Sequence, residues 1–417
     1  MDKDNESGYI PFARPFIGKE EEEAVLAVLR SGWLTTGKET LELENEFGAF
    51  LQKAGGAQGP VYCMAVNSAT SGLHLALEAL GIGKGDLVLV PSMTFTASAE
   101  VVRYLGAEAV FVDVSPGSYN MDPVALEATL ERLKKGKPVP GTGFGPGAKA
   151  AAVMPVHYGG LPCDMDAILG IAEKYGVKVV EDAAHSFPSL MDCRDGRKKY
   201  AGTIGNAGVF SFYTTKTMTT GEGGMVVTRD KSVAARVKIM RSHGIDRSIW
   251  NRYTDAEASW YYEVVAPGFK YNIPDLLSAI GRVQLRRVMD LLSMRHEIAR
   301  CYDEAFSSDP HFSLPPTGNG DARHLYPLRL KLDRLSIGRN EFAEKLQEQG
   351  IGISVHFIPL HTMPYYRERY SLKEGDLPET MESYARTISL PIWPGMTDSQ
   401  INRVITVVKT LGEEYNK

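Results

Sequence analysis

The chain has 417 residues, of which 43% are hydrophobic and 23% are charged, and these proportions are typical of a soluble globular protein. This length predicts one large domain with a smaller one beside it. The formal net charge of -5 argues against nucleic acid as the main partner, because binding a phosphate backbone needs a concentrated excess of lysine and arginine.

The cysteines and the N-terminus point to the cytoplasm. The four cysteines are scattered, and none forms a CxxC pair or has a zinc-ligand spacing to the nine histidines, so we predict no metal site. Residues 1–9 are polar and lack the apolar run of a signal peptide. No stretch of about 18 apolar residues occurs, so we expect no membrane span and no membrane partner.

Helical and strand-like segments alternate over the first 230 residues or so. The predicted helices are 20–31, 68–80, 94–105, 123–132 and 164–175. The predicted strands are 87–90, 109–112, 150–156, 177–180, 209–212 and 225–228. Continuous Val/Ile/Ala strands between amphipathic helices are typical of an α/β protein with a mainly parallel sheet, covered on both faces.

The rest of the chain predicts a long helix and a smaller α+β unit. Residues 275–306 are helical in pattern, with a break near Leu292 and Ser293. Strands at 326–332 and 352–356 and helices at 339–349 and 399–411 follow. We therefore divide the chain into a large domain, 1–290, and a small C-terminal domain, 291–417. The Pro/Gly-rich segment 136–147 is predicted to be a surface loop.

Two carboxylates, Glu181 and Asp182, follow the apolar strand 177–180. In α/β proteins, ligands bind at the carboxyl ends of parallel strands. Because an unpaired buried carboxylate is costly, we expect a positive partner, and the protonated pyridine nitrogen of a cofactor would serve. A helix-capping aspartate is the alternative, which these residues alone favour.

Lys216 follows the apolar strand 209–212 and precedes a glycine-rich turn at 221–224. Partial burial there would lower the pKa of the amine and make it a nucleophile. Ser211, five residues earlier, could offer its hydroxyl to a phosphate. The alternative is a surface lysine on a connecting loop, which would by itself be commoner.

Residues 67–72, Asn-Ser-Ala-Thr-Ser-Gly, place small hydroxylated side chains at the start of the predicted helix 68–80. The free backbone N–H groups and the positive end of the helix dipole make such a start an anion site. Ordinary helix capping explains the same residues equally well.

In this order and spacing, the segments closely resemble the DegT/DnrJ/StrS family of sugar aminotransferases, which are fold type I pyridoxal-phosphate enzymes. The resemblance covers nearly the whole chain and implies a mainly parallel central sheet with a smaller α+β C-terminal domain. The matching segments are 31–37, 67–70, 91–95, 155–160, 181–185, 209–225, 241–244, 268–272, 356–366 and 389–391.

The resemblance implies a role for each matching residue. Lys216 would form a Schiff base with pyridoxal 5'-phosphate and then shuttle a proton, and Asp182 would pair with the pyridine nitrogen. The other implied cofactor contacts are His185 at the 3-hydroxyl, Phe95 stacked on the ring, and Thr70, Ser71 and Ser211 at the phosphate. Asn272 matches an asparagine that reaches the phosphate of the neighbouring subunit's cofactor, which implies a homodimer with shared active sites.

The implied reaction is ping-pong transamination from an amino acid, expected to be L-glutamate, to a nucleotide-linked keto sugar. Weaker matches imply substrate contacts from Thr36, Tyr158, His356 and His361, although for His361 a structural role is an equal alternative. Segments 11–15, 33–37 and 270–272 resemble members that act on UDP-linked 4-keto sugars, such as the branch that forms UDP-4-amino-4-deoxy-L-arabinose for lipopolysaccharide.

One residue departs from the family pattern. Many relatives have a histidine where this chain has Tyr213, which leaves details of the substrate pocket open. Lys216 argues against the dehydratase branch, which has histidine there. The alternatives are an enzyme for dTDP- or GDP-linked keto sugars, a fold type I enzyme for amino acids alone, and a regulatory protein that binds the cofactor without turnover.

Overall fold

A computed structural model of the chain describes residues 8–54, 59–139, 149–246, 261–318 and 320–417. Most of the predicted Pro/Gly-rich loop, 140–147, lies outside these ranges. The first nine strands are Tyr62–Val66 (β1), Asp86–Pro91 (β2), Glu108–Val112 (β3), Lys149–Val153 (β4), Lys178–Asp182 (β5), Leu190–Asp192 (β6), Lys198–Tyr200 (β7), Ala207–Ser211 (β8) and Gly224–Thr228 (β9).

Seven of these strands form the central sheet, in the order β1–β9–β8–β5–β4–β2–β3, while β6 and β7 pair separately as a hairpin. The neighbours from β8 to β3 are parallel, and β9 runs antiparallel to both β1 and β8. The mainly parallel sheet predicted from the apolar runs is thus confirmed, with one antiparallel strand inserted near its edge.

Helices pack on both faces of the sheet. They are Lys19–Ser31 (α1), Lys38–Gln52 (α2), Ala69–Ala79 (α3), Ala97–Tyr104 (α4), Pro123–Lys134 (α5), Met165–Tyr175 (α6) and Lys231–Met240 (α7). In β2, Val88 and Val90 share a core with α3, α4 and α7, whereas Leu87 and Leu89 share another with α5 and α6. Because successive side chains of a strand point to opposite faces, a strand covered twice is apolar throughout.

A second group of elements follows in the chain. It contains Asp275–Phe306 (α8), Phe312–Ser313 (β10), Tyr326–Leu330 (β11), Arg339–Glu348 (α9), Pro364–Tyr370 (α10), Pro378–Arg386 (α11), Thr387–Leu390 (β12) and Asp398–Glu414 (α12). Strands β10, β11 and β12 form a three-stranded antiparallel sheet. Among the described residues, no helix combines the length and apolar character needed to cross a bilayer.

Two sequence-based predictions in this region are wrong. Helix α8 runs without a break through Leu292 and Ser293, because Leu292 is buried and Ser293 falls on the exposed face, where a polar residue interrupts nothing. Residues 352–356 form no strand, since Gly352 N–H donates to Ile10 (2.7 Å) and Ser354 alone bridges to β12. The proposed domain division at residue 290 falls inside α8.

Helix α8 is anchored to α2 by its first residue. The carboxylate of Asp275 accepts hydrogen bonds from the N–H groups of Gly37 (2.7 Å) and Thr40 (3.1 Å) and from the Thr40 hydroxyl (2.8 Å). These N–H groups belong to the start of α2, where no intrahelical acceptor exists. A residue of one helix therefore caps another that lies far away in sequence.

Candidate active site

A cavity of about 570 Å³ lies where β5 and β8 end. This volume is ordinary for a small-molecule site, for which about 300–1,000 Å³ is common. The side chains that line it include seven predicted site residues, namely Thr70, Phe95, Asp182, His185, Ser211, Lys216 and His356. The strand order brings these residues together from segments almost 290 positions apart.

Lys216 lies in the loop between β8 and β9, and several hydrogen bonds fix that loop. Its own N–H donates to the Tyr213 carbonyl (3.0 Å), and the hydroxyl of Thr219 donates to the Phe212 carbonyl (3.0 Å). The pKa of the Lys216 amine is lowered to about 7, mainly by burial and also by Arg295, while Asp182 opposes the shift. The amine is therefore available as a base and nucleophile near neutral pH.

The depressed pKa predicts that Lys216 reacts at a lower pH than the exposed lysines. Only the neutral amine is acylated, so in the cofactor-free protein its labelling by trace acetic anhydride should rise through pH 7 and level off above pH 8. An ordinary lysine keeps gaining reactivity up to a pH of about 10.4. Peptide mass spectrometry measures each site, with exposed Lys231 as the internal reference. Equal pH curves for both lysines would contradict this assignment.

Asp182 is the last residue of β5, and its carboxylate faces the same cavity. One oxygen accepts the Ser98 hydroxyl (2.7 Å), which is itself bonded to Thr94 (2.8 Å), and the other accepts the N–H of Ala184 (3.1 Å). Burial raises the pKa of Asp182, although these donors and Lys216 work against the rise. A cationic group in the cavity, such as a protonated pyridine nitrogen, would favour the charged form.

The neighbouring carboxylate, Glu181, is itself fully buried and does not line the cavity. Its oxygens accept the N–H groups of Gly202 (2.8 Å), Ile204 (2.6 Å) and Gly205 (2.7 Å) and lie 3.0 Å from Nε2 of His157. The N–H of His157 in turn donates to the Asp182 carbonyl (3.1 Å). Glu181 thus fixes the strand end from which Asp182 projects.

Replacing Glu181 with glutamine should destabilise the fold for two reasons. The NH₂ group of the amide would face backbone N–H donors, and the negative charge that now interacts with His157 and three backbone N–H groups would be lost. We expect a loss of about 3 kcal/mol in the free energy of unfolding, typical of breaking a buried charged network. Urea denaturation measures this loss. Glu173→Gln, at an exposed position of α6, is the matched control and should stay within about 0.5 kcal/mol of the wild type. Equal stabilities of the two variants would contradict the prediction.

The start of α3 forms one end of the cavity. Ser68 caps the helix by accepting the N–H of Ser71 (3.1 Å), so the first N–H groups, at Ala69 and Thr70, have no acceptor within the helix. Gly224 of β9 lies directly beneath, where a Cβ atom would come within 2.8 Å of the Ala69 nitrogen. The close approach of β9 requires glycine there, and the hydroxyl-lined helix start suits an anion.

His185 and Phe95 line the cavity beside Asp182 and Lys216. Nδ1 of His185 accepts the N–H of Gly159 (3.3 Å), which leaves Nε2 to carry the ring proton. Burial keeps the pKa of His185 well below its usual range, so the ring is neutral and can donate one hydrogen bond. Phe95 is 58% exposed in the cavity mouth, where its face is free to stack on a flat ring.

The predicted substrate residues occupy different positions. His356 lines the cavity, and its Nδ1 lies 2.9 Å from the Ser389 hydroxyl. Tyr158 is buried beneath it, stacks on Tyr119 with ring centroids 4.4 Å apart, and donates its hydroxyl to the His356 carbonyl. His361 is fully buried, with Nδ1 2.7 Å from the Ser92 hydroxyl and Nε2 3.3 Å from the carbonyl of Glu374. The fold uses both of its ring nitrogens.

Three further predicted residues, Ser71, Thr36 and Asn272, are not among the described residues that line this cavity. Ser71 turns its hydroxyl toward Asn67 Oδ1 (2.7 Å), in the interior of the helix cap. Nδ2 of Asn272 donates to the Thr36 hydroxyl (2.7 Å), and its Oδ1 is buried with no partner in the described part of the chain. Asn272 therefore has an unsatisfied acceptor outside the cavity of its own subunit.

Sequence reasoning missed three residues that shape the site: Ser98, Arg295 and His324. Nε2 of His324 lies 3.4 Å from the Lys216 amine nitrogen, and Arg295 is a buried cation beneath the lysine loop. The sequence could have indicated Arg295, because this arginine lies on the apolar face of α8, where an amphipathic helix usually carries an apolar residue. Nothing in the local sequence distinguishes His324 or Ser98.

The sequence matches the model of the DegT/DnrJ/EryC1/StrS aminotransferase family over residues 15–409. The chain belongs to this family. It is 40% identical over 407 residues to the spore coat polysaccharide biosynthesis protein SpsC of Bacillus subtilis, and the match covers 97% of each chain. The protein is thus a PLP-dependent transaminase of the sugar aminotransferase family, with the fold type I architecture.

Solved structures of related aminotransferases have the same fold. The putative sugar aminotransferase Spr1654 of Streptococcus pneumoniae, in its PMP form, superposes with a TM-score of 0.84 at 28% identity, over 97% of this chain and 99% of that one. Helicobacter pylori PseC, an aminotransferase involved in the biosynthesis of pseudoaminic acid, gives 0.83 at 25% identity, over 98% and 100% of the two chains.

The cavity of this aminotransferase fits pyridoxal 5'-phosphate in three respects. Asp182 is a buried carboxylate whose pKa is raised by burial, so a protonated pyridine nitrogen beside it would favour its charged form. The hydroxylated start of α3 and Ser211 form an anion site at one end. Lys216 presents an amine with a pKa of about 7 to the same cavity. These residues would hold the pyridine nitrogen, the phosphate and the aldehyde carbon of the cofactor.

Proposed function

We propose that this aminotransferase transfers an amino group from L-glutamate to a nucleotide-linked keto sugar, with a UDP-linked 4-keto sugar as the acceptor. The observation that carries the proposal is the meeting of Lys216, Asp182 and the hydroxylated start of α3 in one open cavity. The relatives support a sugar acceptor, because SpsC is named for polysaccharide biosynthesis and Spr1654 is described as a putative sugar aminotransferase. The resemblance to UDP-4-keto-sugar enzymes supports the nucleotide.

In this proposal each residue of the chain has a physical task. Bound pyridoxal 5'-phosphate supplies an electrophilic carbon and a ring that withdraws electrons from it. Nζ of Lys216 would attach to the cofactor at rest and, once the substrate amine displaces it, would carry a proton between the substrate carbon and the cofactor carbon. Asp182 would keep the ring nitrogen protonated, and Nε2–H of His185 would donate to the ring oxygen. Thr70 and Ser211 would bind the phosphate, and Phe95 would cover the ring.

The open side of the cavity provides space for the sugar. Phe12, Ala13, Ser354, His356, Phe357 and Ile392 line it. Burial lowers the pKa of His356 to about 3, so its imidazole is neutral and can hydrogen-bond a sugar hydroxyl. Of the weaker predictions, we retain His356 as a direct substrate contact and assign Tyr158 to supporting it through the carbonyl of His356.

We further propose that the catalytic unit is a homodimer in which Asn272 reaches the partner's cofactor and Thr36 orients it. The position of Asn272 outside the cavity of its own subunit supports this arrangement, in which Nδ2 donates one N–H to Thr36 and would donate the other to the partner's phosphate. Mixing Lys216→Ala subunits with Asn272→Ala subunits should restore activity that neither variant has alone, because mixed dimers contain one complete site. Activity equal to the sum of the two separate variants would contradict shared sites.

The acceptor is tested by supplying UDP-, dTDP- and GDP-linked keto sugars, with the ketone at carbon 3 or carbon 4, to the cofactor-loaded enzyme. A coupled assay measures 2-oxoglutarate released from glutamate, and mass spectrometry identifies the amino sugar. We expect the highest kcat/KM with the UDP-linked 4-keto sugar. Preference for a dTDP- or GDP-linked sugar would overturn the nucleotide assignment. Exchange between amino acids alone would overturn the sugar acceptor, and no change of cofactor absorption with glutamate would overturn transamination.

A further inference from the structure

The imidazole of His324 lies within hydrogen-bonding distance of the amine of Lys216. It lies just before β11 and is 5% exposed, with Nε2 at 3.4 Å from Nζ of Lys216. Its ring is tilted against that of His185, with centroids 4.5 Å apart. The other ring nitrogen, Nδ1, is buried and has no hydrogen-bond partner among the described residues.

Arg295 fixes the backbone on both sides of this contact. Its guanidinium is 2% exposed, and Nη1 donates to the carbonyls of His324 (3.2 Å) and Ile392 (2.8 Å). Nη2 donates to the carbonyl of Thr215 (3.3 Å), the residue before Lys216. One rigid fork of donors therefore sets the distance between the loop of Lys216 and the loop of His324.

The unpartnered Nδ1 decides which way the hydrogen bond runs. A buried N–H without an acceptor is costlier and rarer than a buried lone pair without a donor, so the proton belongs on Nε2. Nε2–H then donates to the lone pair of Nζ, which exists only while the lysine is uncharged. The charged and titratable groups that face His324 are Lys216, His185, Arg295 and His356, and Asp182 also faces Lys216. Burial keeps the imidazole itself neutral.

We propose that His324 is a positioning residue that holds Lys216 in its uncharged form, by donating Nε2–H to the lone pair of Nζ. This inference deepens the proposed function, because it rests on Lys216 as the reacting amine. A hydrogen bond that only the neutral amine can accept favours that form over the ammonium. His324 thus acts through Lys216, with Arg295 holding the two residues in register.

The test is the pH dependence of Lys216 acylation in the cofactor-free protein, measured by peptide mass spectrometry. His324→Phe keeps a flat ring and removes the donor, so the labelling midpoint should rise by about one pH unit, a tenfold smaller neutral fraction at low pH. His324→Gln places an amide N–H near the position of Nε2 and should restore most of the wild-type midpoint. His324→Asn is too short to do so and should resemble His324→Phe.

His311→Phe is the matched control, since His311 is equally buried but is bonded to Asp309 (2.9 Å) and Asn416 (3.1 Å). It should leave the midpoint of Lys216 unchanged. An unchanged midpoint in folded His324→Phe, or equal midpoints in the Gln and Asn variants, would overturn the proposal. If His324→Phe does not fold, the comparison of Gln with Asn decides. Because the acylation measurement uses no substrate, a negative result in the sugar assay would not affect the test of His324.

Discussion

Replacing Lys216 with alanine should abolish net transamination by the cofactor-loaded enzyme. Lys216 faces the cavity beside Asp182, and its pKa of about 7 suits it to take up and release a proton near neutral pH. A positioned acid–base group contributes about 10²–10⁴-fold to a rate, and loss of the covalent attachment adds to this, so we expect kcat to fall by about 10⁴-fold or more.

The variant should still bind the cofactor without covalent attachment, because Asp182, Ser211 and the start of α3 are unchanged. Glutamate-dependent release of 2-oxoglutarate measures turnover, and mass spectrometry under denaturing conditions after borohydride reduction tests the covalent link. Lys231→Ala, at the exposed start of α7, is the control and should behave as the wild type. Turnover by Lys216→Ala near that of the wild type would refute the role of this residue.

Asp182→Asn should have the second largest effect. Asparagine keeps the shape and can still accept the N–H of Ala184, but it has no charge with which to hold a pyridine nitrogen protonated. Removing one electrostatic contact to a reacting group typically reduces kcat by about 10²–10³-fold, and we expect a loss of this size. The hydrogen bond from the Ser98 hydroxyl cannot compensate for the lost charge, because Ser98 is itself a neutral group.

Two further variants test whether the charge of Asp182 is what matters: Ser98→Ala is the intermediate case and Asp192→Asn is the control. Ser98→Ala leaves the carboxylate charged and removes one hydrogen bond, which contributes about 1 kcal/mol, so we expect about a fivefold loss of kcat. Asp192→Asn changes an exposed carboxylate on the β6–β7 hairpin and should have no effect. If Ser98→Ala were as damaging as Asp182→Asn, the carboxylate would act through geometry alone and the charge argument would be wrong.

The elements of the sheet and the residues at its strand ends could be predicted because their signals are local. The apolar runs of β2, β3, β5 and β8 mark buried strands, and Asp182 and Ser211 end β5 and β8. Parallel strands bring their carboxyl ends to one edge, so residues distant in sequence could be placed in one cavity. The family resemblance then assigned roles to residues that the patterns alone left ambiguous, above all Lys216.

The remaining errors and omissions depend on tertiary contacts that no local pattern encodes. Residues 352–356 have the composition of a strand, but Gly352 bonds to Ile10 and Ser354 to Ser389. Because the two partners belong to different segments, no continuous strand pairing forms. His324 follows an irregular segment and acquires its importance from Arg295, 29 positions earlier. The helix predicted at 94–105 begins three residues later, at Ala97, and this leaves Phe95 outside the helix and in the cavity.

The uninterrupted course of α8 has a consequence for how this enzyme can evolve. Its 32 residues span about 48 Å, from the carboxylate that caps α2 to the small antiparallel sheet, and Arg295 lies between. Inserting or deleting one residue between Asp275 and Arg295 would rotate the rest of the helix by about 100° and turn the guanidinium out of the core. We therefore expect length changes to accumulate in loops, and the spacing from Asp275 to Arg295 to stay fixed.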